Sequence, residues 1–92
     1  MSQVAAEHVL YSGRVQGVGF RYALHSTARR YPLKGYVKNL ADGTVELMLQ
    51  GTQAARNDFL SEVAGRFRNN ITDCKRSKVD AGEEFTVFEI RF

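Results

Sequence analysis

The sequence predicts an α+β sandwich in which two helices cover one face of an antiparallel sheet. Segments with strand-like and helix-like spacing of apolar residues follow one another in the order β-α-β-β-α-β, and a final strand comes after them. An Asp-Gly turn at 42–43 joins the second and third strands as a hairpin. The chain has 92 residues, of which 43% are hydrophobic and 25% charged, enough for one small core.

Each element is predicted from the spacing of its apolar residues. Alternation, as in Val9 and Tyr11 against His8 and Leu10, indicates a strand with one filled face. The first helix must end before Pro32, because the residue ahead of a proline disfavours the helical conformation. The predicted elements are a flexible tail at 1–6 and, within a single domain at 7–92, strands at 7–15, 34–39, 44–50, 71–79 and 85–92, a helix at 20–30 and a second helix between 52 and 69.

Two details of the second half follow from the same patterns. Thr52 precedes the second helix and is a candidate N-cap, because its hydroxyl can accept from a free amide of the first turn. In the final strand, Phe88, Ile90 and Phe92 alternate and are predicted to share one face.

Composition and charge restrict the classes of partner. The formal net charge is +3, with 13 basic and 10 acidic residues, which suits a small anionic ligand better than a nucleic acid. Cys74 is the only cysteine and cannot form an intramolecular disulfide, so we expect a reducing compartment. The first residues lack signal-peptide features and no apolar run approaches the length of a membrane span. We therefore expect a soluble, cytoplasmic protein that binds neither nucleic acid nor membrane.

The stretch 13–21 is the candidate functional site, because a short strand leads into a glycine-rich turn and a helix begins there. Gly17 and Gly19 can adopt positive φ and let a ligand approach the backbone amides. Amides of such a turn, next to a helix N-terminus, form an anion-binding concavity. Arg21 ends the turn, and its planar fork matches phosphate oxygens in pairs. The pattern predicts a phosphate or carboxylate pocket, although an ordinary strand-to-helix connection has the same pattern.

The segment Val15-Gln16-Gly17-Val18-Gly19-Phe20-Arg21 resembles the signature loop of the acylphosphatase family. Gly35-Tyr36-Val37-Lys38-Asn39 follows at the distance found in that family, and Asp42-Gly43-Thr44-Val45-Glu46 matches behind it. The resemblance covers nearly the whole chain and implies a ferredoxin-like arrangement of the sheet.

This resemblance implies hydrolysis of acyl phosphates, the mixed anhydrides of a carboxylic acid and phosphate. It assigns phosphate binding to the loop from Val15 to Arg21 and orientation of the attacking water to Asn39. No cofactor and no metal are implied, and we expect a monomer. Some relatives follow the asparagine with a hydroxyl residue that steadies it, whereas here Leu40 follows, so the group that holds Asn39 stays open.

Three other functions share parts of the pattern. The closest alternative is an acyl- or carbamoyl-phosphate-binding module without significant turnover, which only a rate measurement distinguishes. An RNA-binding sheet of similar topology would need exposed aromatic residues on its central strands, and 44–50 has none. A metal-carrier domain would need two close cysteines, and His8 and His25 lack neighbours at ligand spacing.

Overall fold

The computed structural model describes residues 5–92, whose strands form one five-stranded sheet. The elements are β1 (Ala5–Gly13), α1 (Phe20–Ala28), β2 (Lys34–Asn39), β3 (Val45–Gln50), α2 (Gln53–Arg66), β4 (Ile71–Asp80) and β5 (Phe88–Arg91). The strand order is β4-β1-β3-β2-β5, with antiparallel pairing except between β2 and β5, which are parallel. The predicted α+β sandwich of ferredoxin type is confirmed, with a mixed rather than an antiparallel sheet.

The parallel pairing follows from the end at which the chain crosses the sheet. β4 ends beside the start of β1, and the connection at 81–87 crosses at that end. The buried Gln50 holds this connection, because its amide donates to the Glu83 carbonyl (2.8 Å) and its side-chain oxygen accepts from the Phe85 N–H (2.7 Å). β5 therefore begins where β2 begins, and the two strands run in the same direction.

One hydrophobic core lies between the sheet and the two helices. On β1 and its neighbours, alternate residues point toward the helices, as Val9 opposite Leu47 does. The helices contribute apolar residues at helical spacing, Phe20 and Leu24 from α1 and Phe59 from α2. No helix within 5–92 is long and apolar enough to cross a membrane.

β1 begins inside the tail that the sequence predicts at 1–6. Ala5 and Ala6 both pair with β4, and Ala6 is buried, so these residues belong to the sheet. The remaining part of the predicted tail, 1–4, lies outside the described residues. β1 ends at Gly13, earlier than predicted, because its register against β4 shifts there.

The ends of the helices follow from their hydrogen bonds. α1 ends at Ala28 rather than at the predicted Arg30, because the N–H groups of Arg30 and Tyr31 bond to carbonyls three residues back and tighten the last turn. At the start of α2, the Thr52 hydroxyl accepts from the Ala55 N–H (3.1 Å), which confirms the predicted N-cap.

The last strand is shorter than the predicted segment 85–92. Phe88 and Ile90 pack against the core, as the alternation predicts. Phe92 does not join them, because β5 ends at Arg91 and the Phe92 side chain is 85% exposed. Its ring lies instead against a side chain of the candidate site described below.

An acidic side chain is buried between α2 and the sheet. Glu7 is 5% exposed and its carboxylate accepts from Arg56 (3.0 Å) and from Arg76. Burial by itself raises the pKa of Glu7, but hydrogen bonds and charge from Arg76 and Arg56 outweigh it and hold that pKa below its ordinary value. The ion cluster ties α2 to the strands β1 and β4.

We expect Glu7→Gln to lower the free energy of unfolding at neutral pH by about 1–2 kcal/mol, because the two guanidinium groups lose a charged acceptor. Since the folded-state pKa of Glu7 is depressed, its contribution is present above the unfolded pKa and is lost as pH falls through the folded one. Urea denaturation between neutral and acid pH measures both effects. Glu84→Gln, at an exposed position, is the control; equal stability losses in the two variants would contradict the assignment.

Candidate active site

The turn that precedes α1 presents backbone amides without intrahelical partners. Gly17 and Gly19 both have φ of 76°, and Gly19 is the N-cap of α1 in the left-handed conformation. The cap has no side-chain hydrogen bond and the first helical turn contains no acidic residue. The first helical bond runs from the Ala23 N–H to the Gly19 carbonyl (3.0 Å), so the amides before Ala23 are left for another acceptor. The electrostatic potential around these amides is positive, because they lie at the N-terminal end of the α1 helix dipole.

A small cavity lies between this turn and the end of β2. Its volume is about 150 Å³, and Arg21 and Asn39 both line it. The other lining residues are Val15, Gly17, Gly19, Phe20 and Tyr22. The side chains of Val15 and Phe20 are 1% exposed and belong to the core, so these residues offer a ligand their backbone.

The Arg21 guanidinium is held from the side of β5. Its Nη1 donates to the Arg91 carbonyl (3.2 Å), and the guanidinium carbon lies 4.8 Å from the centre of the Phe92 ring. Within 5–92, no side-chain carboxylate lies within salt-bridge distance of Arg21. Because a guanidinium carries five N–H donors, several stay available to an anion in the cavity. Arg21 therefore adds an uncompensated charge to an already positive turn.

Asn39 presents a buried acceptor to the same region. In the described part of the chain, its Oδ1 is the one buried side-chain oxygen or nitrogen atom without a hydrogen-bond partner. Leaving such an atom unsatisfied costs about 1–3 kcal/mol, so it calls for a functional explanation. An acceptor fixed beside an anion cavity suits a water molecule that donates to it.

The hairpin after Asn39 is tied to the glycine-rich turn by one side chain. The Gln16 amide donates to the carbonyls of Leu40 and Thr44, both at 2.8 Å. Inside the hairpin, Thr44 donates through its N–H (3.0 Å) and hydroxyl (2.6 Å) to Asp42. The backbone that carries Asn39 is thus fixed by Gln16, although Asn39 Oδ1 itself has no hydrogen-bond partner within 5–92.

A larger cavity of about 440 Å³ lies at the opposite end of the sheet, beside Lys34, Gln50 and Phe85. The polar atoms of Gln50 are already used to hold the 81–87 connection. The residues that line this cavity include no arginine, and the positive charge of Lys34 is offset there by Glu84, so its volume alone does not make it the better candidate.

Comparison with known proteins gives the family of the chain. The sequence model of the acylphosphatase family matches residues 7–90. The chain belongs to the acylphosphatase family. Members of this family are hydrolases that act on acyl phosphates.

Individual acylphosphatases align over most or part of the chain. The chain is 35% identical over 85 residues to an acylphosphatase of Bacillus licheniformis, and this alignment covers 91% of this chain and 94% of that protein. It is 50% identical over 56 residues to an acylphosphatase of Geobacillus kaustophilus, which covers 61% of this chain and 60% of that protein. The crystal structure of acylphosphatase from Bacillus subtilis superimposes with a TM-score of 0.83 at 32% identity, covering 96% and 99% of the two chains.

The acylphosphatase fold brings together most of the residues that the sequence predicts for the site. Five residues of the predicted loop, Arg21 among them, line the cavity with Asn39, but Gln16 and Val18 do not. Val18 is 41% exposed, and the Gln16 side chain turns toward the hairpin. Neither this tie nor the place of Tyr22 in the cavity wall is predicted from the sequence. No local pattern distinguishes Tyr22 from other exposed residues of a first helical turn.

The left-handed turn at Gly17 permits a test that separates backbone strain from crowding. A Cβ atom added at Gly17 would meet nothing within 4 Å, so a side chain there is opposed only by the positive φ. We expect Gly17→Val to lower the free energy of unfolding by at least about 1–2 kcal/mol, because a β-branched residue resists this conformation. The same substitution should abolish inhibition by inorganic phosphate, because the turn would no longer hold its amides in place. Gly17→Asn should cost less, since asparagine tolerates it. Equal effects of valine and asparagine on the melting temperature would contradict the role of φ.

Proposed function

We propose that the chain hydrolyses acyl phosphates to a carboxylate and inorganic phosphate at the cavity between the 15–21 loop and Asn39. The observation that carries the proposal is that Arg21 and Asn39 line one cavity. Within 5–92, the Arg21 guanidinium has no carboxylate partner and the buried Asn39 Oδ1 has no hydrogen-bond partner. One supplies charge for an anion and the other an acceptor for a neutral molecule. An anion-binding module without turnover would need the first group but not the second.

In the proposed mechanism, the phosphoryl group binds against the amides of residues 16–21 and the Arg21 fork. Asn39 accepts a hydrogen bond from a water molecule and holds it in line with the departing carboxylate. The water oxygen forms a bond to phosphorus, the bond from phosphorus to the acyl oxygen breaks, and the carboxylate leaves with that electron pair. The proton of the water passes to a phosphoryl oxygen. A carboxylate is a weak base, so its departure needs no general acid.

Positioning of the reactants and stabilisation of the transition-state charge therefore provide most of the rate enhancement. Transfer of a phosphoryl group passes through a loose transition state whose charge lies on the equatorial oxygens, where fixed donors stabilise it. The Arg21 guanidinium is fixed in advance, because it donates to the Arg91 carbonyl and lies against the Phe92 ring. Little reorganisation is then needed when the charge develops.

The proposal includes catalysis without a metal ion, by a monomer in the cytoplasm. The backbone amides of the loop and the Arg21 guanidinium supply the charge stabilisation for which other phosphoryl-transfer sites use a metal. Cys74 is a free, exposed thiol, and such a thiol persists in a reducing compartment.

The test is steady-state hydrolysis of acetyl phosphate, measured above the spontaneous rate in buffer, with and without EDTA. We expect turnover that survives the chelator and competitive inhibition by inorganic phosphate. Loss of activity on chelation, restored by a divalent ion, would contradict the metal-free mechanism. Binding of phosphate without turnover of any acyl phosphate would identify the chain as a binding module instead.

A further inference from the structure

The larger cavity, of about 440 Å³, takes no part in the proposed chemistry. It lies at the end of the sheet opposite to the anion cavity, and in the described part of the chain no residue lines both cavities. Proteins bind small molecules in cavities of roughly 300–1,000 Å³. The volume is therefore sufficient for a ligand that binds independently of the phosphoryl group.

The floor of this cavity is apolar and held in place by hydrogen bonds around it. Leu33 and Phe85 line the cavity and are each 6% exposed. The Phe85 N–H donates to the Gln50 side chain (2.7 Å). Tyr31 also lines the cavity, and its hydroxyl donates to Glu62 (2.7 Å). An apolar group that enters the cavity thus meets a floor that already exists.

Two side chains of opposite charge lie beside this floor. Lys34 is the first residue of β2, Glu84 precedes Phe85 on the 81–87 connection, and both line the cavity at exposed positions. Within 5–92, neither forms an ion pair with the other or with any other side chain. No other charged residue of this part of the chain lines the cavity. The ammonium and the carboxylate both stay available to a ligand.

This arrangement selects a ligand that carries both charges. A simple anion or cation would be attracted by one of the two side chains and repelled by the other. A molecule with a carboxylate and an ammonium group complements both. An apolar part of the same molecule gains free energy by leaving water for the floor of the cavity.

We infer that this cavity is a second binding site, which takes a free amino acid with an apolar side chain. The ligand carboxylate faces Lys34, its ammonium group faces Glu84, and its side chain packs on Leu33 and Phe85. The inference goes beyond the proposed function and does not depend on it, because binding here involves no turnover.

The experiment is an NMR titration of the isotope-labelled chain with L-leucine, in which the amide signals of Leu33, Gln50 and Phe85 report the site. Burial of the leucine side chain and two exposed ion pairs together correspond to a dissociation constant on the order of 1 mM. Saturating inorganic phosphate should leave this constant unchanged, because the two cavities share no described residue.

Three related compounds test the parts of the ligand separately. N-acetyl-leucine lacks the ammonium group and leucinamide lacks the carboxylate, so each should bind about two- to fivefold more weakly than leucine. Glycine keeps both charges but lacks the apolar side chain, and it should bind at least about tenfold more weakly.

Substitutions then assign each charge to its partner. Lys34→Gln should weaken leucine binding about two- to fivefold and remove the advantage of leucine over leucinamide. Glu84→Gln should weaken it by a similar factor and remove the advantage over N-acetyl-leucine. Lys75→Gln and Asp73→Asn, at exposed positions of β4 outside the cavity, are the matched controls and should leave binding unchanged.

The inference fails if leucine shifts no signal at about twentyfold the expected dissociation constant. It also fails if leucinamide and N-acetyl-leucine bind as tightly as leucine, or if the shifted signals belong to the 15–21 loop. Hydrolysis of acetyl phosphate, measured on the same sample, tests the proposed function separately. Turnover without leucine binding would overturn the second site alone.

Discussion

Arg21→Lys is expected to lower kcat/KM for acyl phosphates by a factor corresponding to about 2–4 kcal/mol, roughly 30- to 1000-fold. Lysine keeps the positive charge but loses the planar fork with which Arg21 is proposed to contact two phosphoryl oxygens at once. It also loses the flat guanidinium that lies on the Phe92 ring and donates to the Arg91 carbonyl. Both the contact with the substrate and the support behind it are removed together.

Steady-state kinetics and inhibition by inorganic phosphate measure the effect. Inhibition by inorganic phosphate should also become weaker, so its inhibition constant should rise, since phosphate is proposed to bind the same guanidinium and amide donors. Arg68→Lys is the matched control, because Arg68 is exposed in the turn after α2. Near-normal activity of Arg21→Lys would show that the arginine acts only as a point charge or lies outside the site.

Asn39→Ala is expected to lower kcat about 100-fold while leaving inhibition by inorganic phosphate within a few-fold. The amide holds water rather than phosphate in the proposed mechanism, so its contribution arises mainly in the transition state. The structure adds an expectation about stability. Because Asn39 Oδ1 has no hydrogen-bond partner in the described part of the protein, removing it should change the free energy of unfolding by less than about 1 kcal/mol.

Activity would thus fall on a substitution that leaves stability nearly unchanged. Asn69→Ala, at an exposed position, serves as the control for both measurements. Asn39→Asp places a negative charge near the phosphoryl group, so it should also weaken phosphate inhibition, more strongly at low ionic strength. Full kcat in Asn39→Ala would mean that the asparagine is only a turn residue. A marked loss of stability in that variant would mean that its side chain has a structural partner.

The fold was largely predictable because its periodic elements follow from local patterns. Alternation around Val9 and Tyr11, and the Asp-Gly hairpin at 42–43, are properties of neighbouring residues. The direction of β5 was not predictable in this way. It depends on which end of the sheet the 81–87 connection crosses, and Gln50 decides that through contacts with residues more than 30 positions away.

In the candidate site, too, some features follow from neighbouring residues and others depend on the tertiary structure. A glycine-rich turn followed by Arg21 can be recognised from the sequence, and the positive φ of Gly17 was expected there. The contact between Gln16 and the hairpin could not be recognised, because it joins carbonyls whose positions depend on the packing of β2 and β3. The place of Tyr22 in the cavity wall was hidden for another reason. An exposed tyrosine in a first helical turn has no distinctive pattern until the cavity beside it is known.

The hydrogen bond from Arg21 to Arg91 joins residues 70 positions apart, and this separation has a kinetic consequence. β5 is a four-residue edge strand, paired only with β2, and short edge strands open more readily than the centre of a sheet. Contacts between distant parts of a chain also form late in folding, since a long loop must close first. A molecule with β5 detached would keep the rest of its sheet but leave Arg21 without support. In dilute urea, hydrogen exchange of the β5 amides should therefore become faster in parallel with the loss of turnover. Both changes should occur before the remaining strands unfold.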